Sequence, residues 1–136
     1  MPERIVTTAD LTWDGDLRFI ARSGAQEIVV DSNGERGPSP MQTLAMSLAG
    51  CMAIDLVDIL RKGRHEVRAL RARFSAPRAL EPPKRFEEIA LHYVIEGNAP
   101  ASAIERAIAL SREKYCSVWH SMRHDIDFRI TYDARP

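Results

Sequence analysis

Cysteine is scarce in this 136-residue chain, with one at position 51 and one at position 116. Two thiols so far apart make neither a disulfide-rich secreted scaffold nor a CxxC redox or metal motif. An excess of charge is missing too: 19 basic side chains face 19 acidic ones, and the pI is about 6.9. No global field therefore recommends nucleic acid or an anionic membrane as a partner. The amino terminus, MPERIVTTAD, lacks an apolar run after its charged residues, so no secretory signal is read and a cytoplasmic location is expected. Internal repeats, low-complexity segments and linkers are absent, and the length fits one domain, residues 1–136.

What is present is organised around residues 37–63, GPSPMQTLAMSLAGCMAIDLVDILRKG. Ser39 is a good N-cap, Pro40 suits the first helical position, and Gln42 completes a capping-box pattern. Arg61 and Lys62 suit the negative end of the helix dipole, with Gly63 placed as a left-handed C-cap. A helix over residues 40–62 is predicted. Gln42, Thr43, Ser47, Asp55 and Asp58 interrupt its apolar run well short of the ~18 uninterrupted residues of a membrane span, so a buried core helix is expected and no membrane partner. A helix so apolar is hard to cover within a small chain, which points to a partner subunit.

Before this helix, alternation predicts strands over residues 5–13, 17–22 and 27–31, joined by turns at Asp14-Gly15 and Ser23-Gly24. After it, residues 70–75 and 86–96 alternate as strands on either side of a proline-rich loop containing Pro77, Pro82 and Pro83. His92 falls on the more polar strand face and reads as an ordinary surface or edge histidine. A second helix is predicted from a Ser102/Glu105 capping box to about Tyr115, then a further helical turn and a closing strand over residues 126–132. The order is βββ-α-ββ-α-β, an α+β fold with an antiparallel sheet and a long buried central helix.

The residues leave the chemistry open. Cys51 lies about three turns inside its helix, beyond the reach of the N-terminal dipole, so its activation needs a cation from elsewhere, and Asp55 one turn on would oppose a thiolate. Taken alone, it reads first as a small buried hydrophobe. Cys116 follows the second helix, whose carboxyl end disfavours an anion; it suits a resolving thiol or a core cysteine. Arg64, Arg68, Arg71 and Arg73 form a basic stretch, but their alternation with apolar residues reads as a solvated strand face rather than a nucleic-acid patch. His120 and His124 are spaced to share a helix face without a third ligand, so no metal site is expected.

The segments GPSPMQTLAMSLAGCMAIDLV, KGRHEV and ALSREKYCSV, in that order, resemble the OsmC/Ohr family of small thiol-dependent peroxidases across essentially the whole chain. The SPMQ and KGRHEV wording is similar to an OsmC-like branch of that family. The resemblance implies an intertwined homodimer with the central helices buried. It implies a peroxidatic Cys51 that attacks an organic hydroperoxide or hydrogen peroxide, and a Cys116 that resolves the sulfenic acid as a disulfide. No bound cofactor is implied, only an external dithiol reductant as a further partner. The chain departs from the family pattern at two places. Met41 and Gln42 stand where the hydroperoxidases carry an acid, and LTWDGDLRF offers no arginine that matches the hairpin arginine, leaving Arg18 and Arg22 as the nearest. Gln42 thus reads either as a polar partner in the site or as a cap. The other reading of the whole is a non-catalytic relative that binds a small apolar ligand at the dimer interface.

Overall fold

The computed structural model describes residues 2–136. They divide into two compact units, the first reaching to residue 44 and the second covering residues 45–136, and the helix over residues 40–62 has its start in the first.

The first unit is an antiparallel meander of β1 (Asp10–Trp13), β2 (Arg18–Ser23) and β3 (Gln26–Asp31) in the order β1-β2-β3. β1 is shorter than the alternation predicts. Its pairing runs from Trp13 opposite Phe19 to Asp10 opposite Arg22, and beyond that β2 turns away, leaving residues 5–9 no strand to join. The first turn is also longer than two residues. Asp14 N–H donates to the Arg18 carbonyl at 2.9 Å, and both Gly15 and Asp16 adopt positive φ, 94° and 44°. The second turn sits one residue later than expected, since Ser23 pairs with Gln26 across Gly24 and Ala25.

After β3, Asp31 organises the loop. Its carboxylate accepts the backbone N–H groups of Asn33, Glu35 and Arg36 at 2.9, 3.3 and 3.0 Å. Those amides, Arg36 and Asn33 foremost, hold its carboxyl below the ordinary value. At Gly37 a β-carbon would collide with the Val29 carbonyl, so the backbone can pass only as glycine.

α1 (Pro40–Lys62) matches the predicted range, and its start is the reciprocal capping box. Gln42 Oε1 accepts the Ser39 N–H at 2.9 Å while Ser39 Oγ accepts the Gln42 N–H at 3.2 Å. At the other end the left-handed residue is Arg64, φ 64°, not Gly63. The Arg64 and His65 amides turn back to the Arg61 and Leu60 carbonyls at 2.9 and 3.0 Å, a Schellman closure that places the αL position one residue later. α1 is less enclosed in the single chain than expected. Leu48, Met52, Leu56 and Leu60 form one buried stripe, while Met46 and Ile54 are 56% and 70% exposed. By length and composition it equals a bilayer-crossing helix, with mean hydropathy 1.7 in its most apolar window.

The second unit adds β4 (Val67–Ser75), β5 (Glu88–Gly97), α2 (Ala101–Leu110), a short α3 (Ser117–His120) and β6 (Asp127–Arg135), with the sheet in the order β4-β5-β6. Ile89, Leu91, Tyr93 and Ile95 of the central strand are buried, as alternation predicts. One pairing differs from the expected antiparallel sheet: β5 and β6 run parallel, Ile89 opposite Phe128 and Tyr93 opposite Tyr132. A parallel pair cannot be closed by a hairpin and requires a crossover, which α2 and α3 supply. The start of α2 also departs from expectation. Pro100 is the N-cap, its carbonyl accepting from Ala103 and Ile104, and Glu105 instead accepts the Tyr132 hydroxyl at 2.9 Å.

α2 ends in a π turn over Ser111–Tyr115, closed by the Cys116 N–H donating to the Ser111 carbonyl at 2.8 Å. The parallel topology thus sets Cys116 on the crossover, where the chain leaves α2 and starts back toward the sheet.

Candidate functional site

The second unit brings Cys51 and Cys116 together. Their side chains lie close together, and both thiols are free. They arrive by different routes: Cys51 stands midway along α1, and Cys116 at the end of the π turn, where its Sγ accepts the Trp119 N–H at 3.4 Å and caps α3. The two differ in access. Cys51 is partly exposed and Cys116 is fully buried. Burial pushes the Cys116 thiol up to about 11, against the opposing Trp119 hydrogen bond, with Cys51 and Asp55 adding to the rise. Cys116 is therefore a neutral thiol at pH 7.

Three further side chains complete the cluster. Tyr93, from the centre of β5, is fully buried and donates its hydroxyl to the Ala49 carbonyl at 3.1 Å. Burial, then the neighbouring Cys116, Cys51 and Asp55, raise its phenol well above the ordinary value, so it is a fixed neutral donor. Asp55 is one turn beyond Cys51 on α1, and it accepts the Ser111 hydroxyl at 2.7 Å. The ionisable groups that act on Cys116 and Tyr93 are all acids, so their influence favours the protonated form of each.

Sequence reading pointed to the two cysteines and to Asp55 but not to Tyr93 or Ser111. A signal existed: Asp55 and Ser111 are single polar residues on otherwise apolar helix faces, and buried polar groups need partners.

The remaining predicted residues have other occupations. Gln42 is spent on the cap of α1. Arg18 is paired with Asp14 at 3.2 Å and Asp16 at 3.8 Å, and also donates to the Asp14 carbonyl at 2.8 Å. Arg22 pairs with Glu27 at 2.6 Å across β2 and β3. His120 and His124 do not share a helix, since α3 stops at His120. Their Nε2 atoms face the Arg112 and Trp119 carbonyls at 3.0 and 3.1 Å, donor geometry rather than ligand geometry, and His124 stacks on Trp119 at 4.7 Å. His92 is on the central strand, not an edge, with Thr131 at 2.7 Å and Asp133 at 3.3 Å.

Comparison with known proteins places this arrangement. The profile described as "OsmC-like protein" matches residues 32–131, which include both cysteines. YhfA of Escherichia coli K12 is 36% identical over 129 residues, covering 93% of this chain and 96% of its own. A hypothetical protein from Aquifex aeolicus VF5 has the same fold at a TM-score of 0.90 and 30% identity, with 97% of this chain and 98% of that one aligned. An organic hydroperoxide resistance protein, OsmC, from Legionella pneumophila aligns at a TM-score of 0.71 over 97% of this chain and 99% of its own; at 16% identity that likeness is one of fold. The chain belongs to the OsmC-like protein family.

Proposed function

We propose that this protein is a thiol peroxidase that reduces organic hydroperoxides or hydrogen peroxide in oxidative-stress defence. The observation that carries the reading is the close pair of a partly exposed Cys51 and a buried Cys116 in a chain of this family. The name of the Legionella relative supports the substrate class.

In the proposed cycle the Cys51 thiolate attacks the peroxide oxygen. The O–O bond breaks, Cys51 becomes a sulfenic acid and the alcohol leaves with a proton. Cys116 then attacks the Cys51 sulfur; the S–O bond breaks, a disulfide forms and the hydroxyl leaves as water with the Cys116 proton. An external dithiol reductant takes the disulfide back to two thiols and is itself oxidised. No bound cofactor takes part.

Access supports this division of labour. A partly exposed sulfur can meet a substrate, whereas a buried neutral thiol is protected until its neighbour is oxidised. The ionisable groups that act on Cys116 are acids, so a cation that activates Cys51 has to come from elsewhere. We read α1 as the core of a cytoplasmic homodimer rather than a bilayer span. Asp55 is bonded within the fold and Asp58 is paired with Lys62 at 2.9 Å, while Ile54 and Met46 offer apolar surface to a second copy.

The test is to supply purified protein with cumene hydroperoxide and a dithiol, follow peroxide consumption, and map the disulfide by mass spectrometry. Turnover with a Cys51–Cys116 bond is expected; no turnover and no bond would sink the reading. A second reading, a non-catalytic binder of a small apolar ligand at the dimer interface, is favoured by Gln42 being occupied as a cap. An inactive protein that co-purifies with an apolar molecule would establish it.

A further inference from the structure

Ser111 makes two hydrogen bonds that converge on the thiol pair. Its hydroxyl donates to Asp55 Oδ2 at 2.7 Å, and its carbonyl accepts the Cys116 N–H at 2.8 Å across the π turn. Asp55 is one turn from Cys51 on the same helix, so a continuous path runs from the Cys51 helix through Asp55 and Ser111 to the backbone of Cys116. Ser111 is fully buried beside the equally buried Ile104 and Ala107, where an unpartnered hydroxyl would be costly. A π turn is rare in itself and is found disproportionately at functional sites. Here it sets the amide of Cys116 against the carbonyl of the residue whose side chain is already tied to α1.

We propose that Asp55 and Ser111 form a positioning latch that fixes the Cys116 thiol against Cys51 and thereby sets how readily the two close into a disulfide. Neither residue meets substrate; both act through Cys116. Holding two reacting groups in register raises their effective concentration, and each degree of freedom released at Ser111 lowers it. The latch deepens the thiol-peroxidase reading and rests on it for the use made of closure.

The test is chosen to be independent of peroxide. Full-length wild type, Ser111→Ala, Asp55→Ala and Asp55→Asn are equilibrated in a series of glutathione and glutathione disulfide mixtures, acid-quenched, alkylated and weighed. In this exchange two protein thiols are oxidised as one glutathione disulfide is reduced to two glutathiones. Ser111→Ala and Asp55→Ala are expected to lower the closure constant at least tenfold, about 30 mV for this two-electron couple. Asp55→Asn keeps an oxygen to accept the Ser111 hydroxyl and should stay within about threefold of wild type, by the same proximity argument.

A merely structural role would lower the melting temperature of both redox forms alike and leave the closure constant in place, and that result overturns the latch. So does a wild-type pair that never closes in glutathione. If Ser111→Ala does not fold, the Asp55 pair decides the matter: equal constants for Asp55→Ala and Asp55→Asn refute it. Closure without hydroperoxide turnover in wild type would refute the peroxidase reading and leave the latch standing. Turnover with an unchanged closure constant in Ser111→Ala would do the reverse.

Discussion

The two units of the chain solve the problem of holding a three-stranded sheet in opposite ways. In the second, Ile89, Leu91, Tyr93 and Ile95 lie buried along the central strand. In the first, cross-strand register puts Leu11, Ala21 and Ile28 in one row and Trp13, Phe19 and Val30 in the next, an apolar face. Yet Leu11, Trp13, Phe19 and Ile28 are 55%, 66%, 39% and 47% exposed. Among the described residues of that unit the buried one is an acid, Asp31, and the order comes from hydrogen bonds and ion pairs. One unit is held by apolar burial and carries the thiols. The other is held by polar geometry and carries its apolar face outward, a face that gains stability only when something covers it.

The sharpest way to break this contrast is chemical. Cys51→Ser in the second unit should take hydroperoxide consumption to the uncatalysed background, measured with cumene hydroperoxide and a dithiol. Arg22→Ala in the first should keep most of the rate; an equal loss would make the first sheet part of the working site.

Next comes the core. Leu56, fully buried on α1, should cost about 2–5 kcal/mol on replacement by alanine, read from urea unfolding. Ile28→Ala should cost clearly less, and comparable values would mean that the first sheet's apolar face is covered in solution.

Gly37→Ala should destabilise by about 1–3 kcal/mol in the same assay, because the new methyl must displace the Val29 carbonyl. Asp31 adds a pH signature. Its folded carboxyl lies below the ordinary value of 3.8, so its contribution is whole above that pH and is lost as pH falls through the folded value. The melting temperatures of wild type and Asp31→Ala should therefore differ at neutral pH and converge in acid below about pH 3.8. Smallest of all, removing the exposed Arg22–Glu27 pair by Arg22→Ala should change stability by about 1 kcal/mol or less.

Much of the fold was legible because it is written locally. The bounds of α1 follow from Ser39, Pro40 and Gln42 at one end and Lys62 at the other, and the buried face of β5 follows from simple alternation. Alternation says which face a strand buries but not which neighbour it chooses, so the parallel partnership of β5 and β6 was invisible. Capping signals failed where backbone groups took over: the Pro100 carbonyl displaced Ser102 at the start of α2, and Arg64 rather than Gly63 took the left-handed position after α1. In the site, the cysteines stood out by scarcity and motif. Tyr93 and Ser111 did not, because each looks like ordinary strand or helix material until the packing of α1 gives it Ala49 or Asp55 as a partner.

The capping of α3 by a sulfur has an optical consequence. The Cys116 Sγ receives the backbone N–H of Trp119, whose ring lies flat on His124 and beside Phe128 at 4.6 Å. A change of bonding at that sulfur acts on the backbone of a residue that carries one of the chain's two indoles. With Trp13→Phe removing the other, the emission of Trp119 offers a label-free readout of whether Cys116 has changed its bonding.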